Sequence, residues 1–436
     1  MADVTPITQT IKTVGIYHGL PVFPQSFEPL SALVVGASGI SGQHMIQVLS
    51  QSPERWTKIY ALSRSARNIP TSIASLVTHV PADLLKSPED IARKLIDGYV
   101  KADYIFFSAY LQPSPPPGEP LWSNHDELDR VNRSVFSNFL SALPLAGIQP
   151  QRIILQTGVK HYGAHLGPPV IPMSESDPRL PSPPYPPNFY YSQEDLLFSY
   201  CKIHSSTSWN VIRPCWILGA VPGAAMNILF PLAVYASVQK FLGDSLEFPG
   251  DWQGWDNVHM QSSAMLIGYL NEWAALSPTA KNSAFSAADG GPWTWGFFWP
   301  ILASWYGIPW TGPAEDEGKY VKINMDVPPR GIGPPGNLRY SFSLIEWAKQ
   351  PRVQEAWSRI AQQNNLLVDP FKELEQIWNP IHIALVSSWP WTVRLDKARN
   401  MGWNGYVDSV EVVRQVFEQF SELKMIPTLP KSGGLN

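Results

Sequence analysis

Cysteine is scarce in this sequence, with Cys201 and Cys215 the two present in 436 residues. Two cysteines cannot build a disulfide framework, so the sequence predicts a reducing compartment, the cytoplasm. Basic charge is not in excess either, because the formal net charge is −4. This balance excludes the positive field that a nucleic-acid-binding protein or a polybasic membrane patch requires.

Long apolar runs are missing as well. No uncharged apolar stretch reaches the roughly 18 residues that span a membrane, and the best candidate, 226–238, is short and contains Pro231. The beginning of the chain has no basic segment followed by an apolar one, which predicts no signal peptide. His161, His165 and His259 lack the spacing of a zinc motif, so no metal is expected.

Short apolar segments alternate with helical ones in the first half of the chain. Strands are predicted at 33–35, 58–62, 77–81, 104–108, 152–156 and 209–213, and helices at 43–50, 89–98 and 126–143. This alternation predicts an α/β fold with a doubly wound parallel sheet. Beyond about residue 220 it fades, and helices are predicted at 293–306, 343–363 and 408–423, the last capped by Asp408.

Three glycines follow the first strand directly. Gly36, Gly39 and Gly42 have the spacing GxxGxxG and stand between a strand and a helix. Such a turn lets the backbone approach a pyrophosphate, while the N–H groups at the start of the helix bind it. The motif and its context predict a Rossmann domain at 31–219, preceded by an irregular arm at 1–30. Residues 220–436 are expected to form a mainly helical substrate-binding region, with some segments returning to the sheet.

The end of the second strand bears on which cofactor binds. NAD-dependent enzymes usually carry an acidic residue there, whereas this chain has Ser63, Arg64 and Ser65. A guanidinium suits a 2′-phosphate and contributes roughly 1.5–3 kcal/mol per charge-assisted hydrogen bond, which predicts NADPH. Asp83, after the third strand, is placed either to meet the adenine edge or to form an ordinary turn.

Two proline-rich stretches, 112–120 and 168–187, interrupt the alternation. Both follow the carboxyl ends of strands, where such sheets bind ligands, so we expect them to wall or cover the active site rather than form passive loops. Trp252, Trp255 and Trp293 either line the substrate site or pack in the core.

A tyrosine that donates a proton, with a lysine beside it, normally forms the reacting centre of such reductases. The usual pattern, Tyr-x-x-x-Lys, is absent here, since Glu194 and Asp195 stand four residues after Tyr190 and Tyr191. Lys160 instead follows the fifth strand, in a separate segment.

The sequence resembles the progesterone 5β-reductase/iridoid synthase-like family of short-chain dehydrogenases. The similarity extends over most of the chain, and the TGxKHY and NFYYxxED segments are its most specific parts. Members usually carry a basic pair after the second strand, whereas Ser65 follows Arg64 here. The segments that carry the resemblance are LQTGVKHY (155–162), NFYYSQED (188–195), RPCWILG (213–219), AKNSAF (280–285) and WTW (293–295).

The resemblance implies an extended short-chain dehydrogenase in which Lys160 and Tyr190 are catalytic. It implies NADPH-dependent reduction of an activated C=C bond, with hydride delivered to the β-carbon of an enone or enal and the tyrosine hydroxyl bonded to the developing enolate oxygen. Whether Tyr190 or Tyr191 faces the substrate is left open. The residues expected to hold the cofactor are Gly36, Ser38, Gly39, Ile40, Ser63, Arg64, Ser65, Asp83, Thr157, Lys160, Pro214 and Ile217.

Two other functions remain open at this stage. The same scaffold could reduce a carbonyl group, or it could act without net redox chemistry as a cyclase, an isomerase or an NADPH-sensing protein. The low charge and the 18 tryptophans suggest a hydrophobic small molecule as substrate, such as a secondary metabolite. The sequence does not decide between a monomer and a homodimer.

Overall fold

A seven-stranded parallel sheet lies at the centre of the protein, in a computed structural model that describes residues 9–24, 29–65, 71–113, 123–224 and 226–429. The strands are β1 (Ile11–Val14), β2 (Tyr17–Pro21), β3 (Leu30–Val35), β4 (Trp56–Ser63), β5 (Val77–Pro81), β6 (Tyr104–Phe107), β7 (Arg152–Gln156), β8 (Ser208–Pro214), β9 (Trp216–Leu218), β10 (Leu246–Glu247), β11 (Gln261–Ser263), β12 (Ser283–Ala287), β13 (Trp310–Thr311), β14 (Val321–Asn324) and β15 (Asn337–Tyr340). The helices are α1 (Ile40–Leu49), α2 (Pro88–Asp97), α3 (His125–Leu145), α4 (Phe189–Ile203), α5 (Leu229–Leu242), α6 (Trp252–Asp256), α7 (Ala264–Leu276), α8 (Trp295–Tyr306), α9 (Leu344–Ala348), α10 (Pro351–Asn364), α11 (Leu374–Val386), α12 (Asp396–Asn400) and α13 (Ser409–Glu422).

The strand order of the central sheet is β12-β8-β7-β6-β3-β4-β5, and every pairing in it is parallel. From β3 the chain winds outward through β4 and β5, then returns to β6 on the other side of β3. The switch of direction between β3 and β6 opens a crevice at the carboxyl ends of these strands, where such sheets bind ligands. The predicted doubly wound α/β fold is confirmed.

Helices cover both faces of the sheet. On one face α1 packs against α7, and on the other α2 and α4 pack against α3. Side chains therefore alternate along β3: Ala32 and Val34 belong to one core, while Leu33 and Val35 belong to the other. Strands that are buried on both faces read as continuous apolar runs, which explains why they could be predicted from the sequence.

The first part of the chain is more regular than predicted. Residues 11–21 form an antiparallel hairpin of β1 and β2, whereas the sequence predicted an irregular arm. Gly15, at φ +55°, stands in its turn, a conformation that favours glycine. Tyr17 and Leu20 are buried, and the ring centroids of Tyr17 and of Tyr269 in α7 lie 5.8 Å apart. Contact with a distant helix, rather than local pattern, accounts for the hairpin.

The second half is mainly helical around α5, whose first eleven residues are all buried. Asp408 caps α13 by accepting hydrogen bonds from Val410 N and Glu411 N, as expected. The prediction of one helix over 343–363 was wrong, because the segment forms α9 and α10 with Pro351 at the start of the second. Proline lacks an N–H and crowds the preceding turn, so a helix begins there instead of passing through. No helix among the described residues has the length and apolar composition needed to cross a membrane.

The proline-rich stretch 168–187 packs against residues from the second half of the chain. Tyr185 donates its hydroxyl to the Pro328 carbonyl at 2.8 Å, and Met173 bridges to Val393. No residue of this stretch lines the cavity described below, so its predicted role as an active-site wall was wrong for the described chain. In the other stretch, Gln112 does line the cavity, whereas 114–120 lie outside the described residues.

Candidate functional site

A cavity of about 590 Å³ opens at the carboxyl ends of the parallel strands. This volume lies within the range of about 300–1,000 Å³ that is typical of ligand pockets. The structure brings all the predicted site residues together in its lining: Gly36, Ser38, Gly39, Ile40, Ser63, Arg64, Ser65, Asp83, Thr157, Lys160, Tyr190, Pro214 and Ile217.

The turn after β3 is possible only with glycine. Gly36 has φ +84°, and a Cβ there would lie 2.7 Å from the backbone nitrogen of Ala109, which follows β6. The N–H groups of Gly36 and Ala37 both donate to the Leu62 carbonyl at 3.1 Å, which holds the turn against β4. A Cβ on Gly42 would overlap the Gly36 carbonyl oxygen, so α1 packs closely on the turn.

The N-terminus of α1 points into this cavity without a competing group. Gly39 is its N-cap and supplies no side-chain hydrogen bond, and the first turn contains no acidic residue. The first N–H groups of a helix lack partners within the helix and carry partial positive charge. This end of α1 is therefore suited to bind a phosphate group.

The residues after β4 and β5 form the rim of the cavity. Arg64 and Ser65 are exposed, and within the described chain no carboxylate pairs with Arg64. Ser63 is buried and donates its hydroxyl to the Ser65 carbonyl at 2.9 Å. Asp83 accepts from Leu85 N at 3.1 Å, so it forms a turn and lines the cavity as well. The arrangement leaves a guanidinium available at the rim.

Lys160 lies in a short 3₁₀ turn, Val159–Tyr162, that follows β7. Thr157 N donates to the Ile212 carbonyl at 2.8 Å, which fixes the start of this segment on β8. Burial lowers the pKa of Lys160 to about 7, because charge is disfavoured away from water. At neutral pH the amine can therefore exist in both protonation states.

The two adjacent tyrosines have different surroundings. Tyr190 lines the cavity, and a Cβ on Gly158 would lie 3.2 Å from its hydroxyl oxygen. No hydrogen bond within the described residues engages this hydroxyl, and burial raises the pKa of Tyr190 above its usual range. Tyr191 donates to the His161 carbonyl at 2.5 Å and accepts from Leu180 N at 3.0 Å. Tyr190 is therefore the tyrosine whose hydroxyl faces the cavity.

Glu194 stands four residues after Tyr190, at the position that holds lysine in the Tyr-x-x-x-Lys pattern. Its side chain is 2% exposed and points away from the cavity, towards Arg213 at 2.9 Å and His161 at 3.2 Å. Asp195, by contrast, is exposed and pairs with Arg179 at 2.7 Å. The missing lysine is thus replaced by a buried ion cluster, and the amine that lines the cavity comes from the 3₁₀ turn.

With this geometry established, comparison with known proteins identifies the family. Residues 32–327 match the PRISE-like Rossmann-fold domain. The chain belongs to this family. The resemblance inferred from the TGxKHY and NFYYxxED segments is confirmed.

Named relatives match this PRISE-like chain over nearly its full length. A (S)-8-oxocitronellyl enol synthase of Camptotheca acuminata is 31% identical, covering 91% of this chain and 93% of that protein. A 3-oxo-Delta(4,5)-steroid 5-beta-reductase of Arabidopsis thaliana is 28% identical, covering 92% and 94%. A UDP-glucose 4-epimerase of Thermus thermophilus, solved in complex with NAD, superposes with a TM-score of 0.53 at 14% identity, covering 90% and 99%. This last likeness bears on the fold alone.

Several walls of the cavity in this PRISE-like chain were not found from the sequence. Trp216 and Trp391 stack at 5.1 Å with an angle of 14° between their rings, and both line the cavity, as does Gln376 of α11. Of the two alternatives left open for the three tryptophans, core packing holds for Trp255 and Trp293, which are buried. Trp252 is exposed, and the cavity lining includes none of the three. Trp216 lies two residues after Pro214 in the RPCWILG segment, so its place at the cavity could have been predicted. No local sequence pattern marks Trp391 or Gln376 as residues of the cavity.

Proposed function

We propose that the protein is an NADPH-dependent reductase that adds hydride to the β-carbon of an enone or enal in a hydrophobic small molecule. The observation that carries this proposal is that one cavity is lined by the glycine turn, by Arg64, and by Lys160 and Tyr190. A dinucleotide bound with its phosphates at the glycine turn would run along this crevice towards the amine and the phenol. The steroid 5-beta-reductase among the relatives supports the same class of reaction.

The preference for NADPH follows from the rim of the cavity. Arg64 offers a charge to a 2′-phosphate, and β4 ends in Ser63 rather than in a carboxylate that would repel this phosphate. The phosphates of the cofactor fit the N-terminus of α1, and Pro214 and Ile217 would line the nicotinamide. When bound, NADPH supplies the hydride.

The protein's own part in the reaction is to stabilise charge. Hydride addition at the β-carbon shifts the π electrons onto the carbonyl oxygen, and the α-carbon afterwards takes a proton. Since burial raises the pKa of Tyr190, its hydroxyl stays protonated and donates to that oxygen. The ammonium form of Lys160 would favour the same negative charge.

The substrate is expected to be largely apolar. The stacked Trp216 and Trp391 offer flat apolar surfaces, and Leu111 and Met226 line the cavity with them. Residues from both proposed parts of the chain, 31–219 and 220–436, thus meet around the ligand. Both cysteines are free thiols, which fits the proposed cytoplasmic location.

Isotope transfer tests the proposal. With a panel of hydrophobic enones and NADPH carrying deuterium at C4, we expect NADPH consumption and the label on the former β-carbon. Label on the carbinol carbon would instead show carbonyl reduction, and product formed at constant NADPH would show a non-redox reaction. Either of these two outcomes would overturn the proposed chemistry.

A further inference from the structure

Lys160 and Tyr190 lie on separate segments, so no single helix sets the distance between them. In a Tyr-x-x-x-Lys helix, the i, i+4 spacing places both side chains on one face. Here the 3₁₀ turn that carries Lys160 and the helix that carries Tyr190 are joined only through tertiary contacts. Displacement of a catalytic group by about 1 Å can reduce the rate about a hundredfold, so these contacts bear directly on turnover.

Three residues of α4 and its N-cap hold the 3₁₀ turn. Asn188 donates from Nδ2 to the Lys160 carbonyl at 2.8 Å, and Tyr191 donates its hydroxyl to the His161 carbonyl at 2.5 Å. Glu194 Oε1 lies 3.2 Å from His161 Nδ1, at an angle that is poor for a hydrogen bond. The three are spaced by three residues and so share one side of the helix. We call them the α4 clamp.

Glu194 is the member of the α4 clamp that also reaches the sheet. Its Oε1 accepts from Arg213 Nη2 at 2.9 Å, and its Oε2 accepts from Arg179 Nη2 at 2.9 Å. Arg213 stands next to Pro214, which lines the cavity. One buried carboxylate thus joins the three segments that contribute Lys160, Tyr190 and Pro214 to the cavity.

The charges around Glu194 keep it ionised. Burial alone raises the pKa of Glu194, but its contact with His161 and the charge of Arg213 outweigh burial and hold the pKa at about 2. Because a buried charge is costly without its partners, displacement of any of the three segments would leave the carboxylate less well compensated.

We infer that Glu194 is a positioning residue: through the α4 clamp and Arg213 it holds the amine of Lys160 in register with the Tyr190 hydroxyl. The inference rests on the proposed function for its catalytic consequence. Whether Glu194 fixes the position of Lys160 is a separate question, which can be measured without turnover.

The test compares Glu194→Gln with Asp195→Asn. Both exchange a carboxylate for an amide on α4 and both touch Arg179, but Asp195 is 64% exposed at its side chain and contacts neither His161 nor Arg213 among the described residues. The first measurement is the pH dependence of Lys160 labelling by an amine-reactive anhydride, read by mass spectrometry of the labelled peptide without cofactor. The second measurement determines kcat with an enone and the Kd for NADPH.

For Glu194→Gln we expect the labelling midpoint, near pH 7 in the parent, to rise by about one pH unit or more as Lys160 becomes hydrated. We expect kcat to fall about ten- to a hundredfold while the NADPH Kd stays within about twofold. Glu194→Asp, which keeps the charge, should recover part of kcat. Asp195→Asn should match the parent in all measurements.

The inference is overturned if Glu194→Gln lowers only the melting temperature, with the labelling midpoint and kcat unchanged, or if Asp195→Asn causes the same losses. Should Glu194→Gln fail to fold, Tyr191→Phe removes another member of the α4 clamp and should raise the labelling midpoint in the same direction. An unchanged midpoint there would count against the inference. If the parent reduces no enone, the proposed function fails while the labelling result still decides the role of Glu194.

Discussion

Tyr190 and Tyr191 are neighbours in α4, yet their hydroxyl groups have opposite surroundings. The Tyr191 hydroxyl is bonded to the His161 carbonyl and to Leu180 N, while the Tyr190 hydroxyl lies in the cavity beside Gly158. Successive helix positions differ by about 100°, so one residue can serve the fold while the next serves a ligand. The two phenols therefore make a matched pair for mutation.

Tyr190→Phe should lose about 10²- to 10³-fold in kcat, because the donor to the developing negative charge is removed. NADPH binding should be unchanged, as measured by quenching of tryptophan fluorescence. Tyr191→Phe should lose no more than about tenfold in kcat, because it loosens the α4 clamp but removes no group from the cavity. Full activity of Tyr190→Phe would remove this hydroxyl from the mechanism.

Arg64→Ala should weaken NADPH binding about ten- to a hundredfold, the equivalent of about one charge-assisted hydrogen bond. NADH binding should change little, because NADH has no 2′-phosphate. Titration calorimetry with both cofactors measures the difference. Arg359→Ala, which removes an exposed arginine of α10 outside the cavity lining, serves as the control. Equal losses for both cofactors would contradict the assignment.

The kcat/KM for NADPH should fall as the pH rises through about 7. This parameter reports groups of the free enzyme, and burial lowers the pKa of Lys160 to about 7, so the ammonium form is lost above that pH. Lys160→Met should be slow and lack this alkaline decline, which separates the lysine from the titration of the cofactor phosphate. A parent profile that is flat from about pH 6 to 9 would speak against a charged Lys160.

Asp289 provides a stability prediction away from the cavity. It is fully buried, accepts from Ser263 N and Ser409 Oγ, and burial raises its pKa to about 7. Below pH 3.8, the pKa of an unfolded aspartate, the side chain is protonated in both states and costs no stability. As the pH rises from there to the folded-state pKa, ionisation increasingly favours the unfolded state and the free energy of unfolding falls.

Asp289→Asn should therefore gain stability relative to the parent as the pH rises from about 4 to 7, by an amount on the order of 3–4 kcal/mol. The prediction concerns this difference, because burial lowers the pKa of His259 to about 4 and that group titrates in the opposite sense. Urea unfolding at several pH values measures it, with the exposed Asp97→Asn as control. A difference that does not vary with pH would show that Asp289 is ionised in the folded state.

Some elements could be predicted because local pattern and final environment agree. The strand predicted at 58–62 lies within β4, whose buried apolar run and following turn are both visible in the sequence. The strand β12 was missed as a strand, since Phe285 is its one large apolar residue and its pairing with β8 comes from the fold. The hairpin of β1 and β2 was missed for the same kind of reason.

The cavity likewise contains residues that local sequence predicts and residues that only tertiary contacts bring there. Gly36 and Thr157 directly follow β3 and β7, and Pro214 is the last residue of β8. Because the carboxyl ends of parallel strands meet at one edge of a sheet, the proximity of these residues could be predicted. Trp391 reaches the cavity by stacking on Trp216, a contact between residues far apart in the chain. Glu194 is buried because it contacts Arg213 and His161, which are distant in the sequence. The Tyr-x-x-x-Lys pattern, which concerns one helix, cannot predict these contacts.

A crystal structure with NADPH bound tests the central claim most directly. We expect the pyrophosphate at the glycine turn after β3, the 2′-phosphate near Arg64, and the nicotinamide within reach of the Lys160 amine and the Tyr190 hydroxyl. A cofactor bound outside this cavity, or a nicotinamide far from both side chains, would contradict the account.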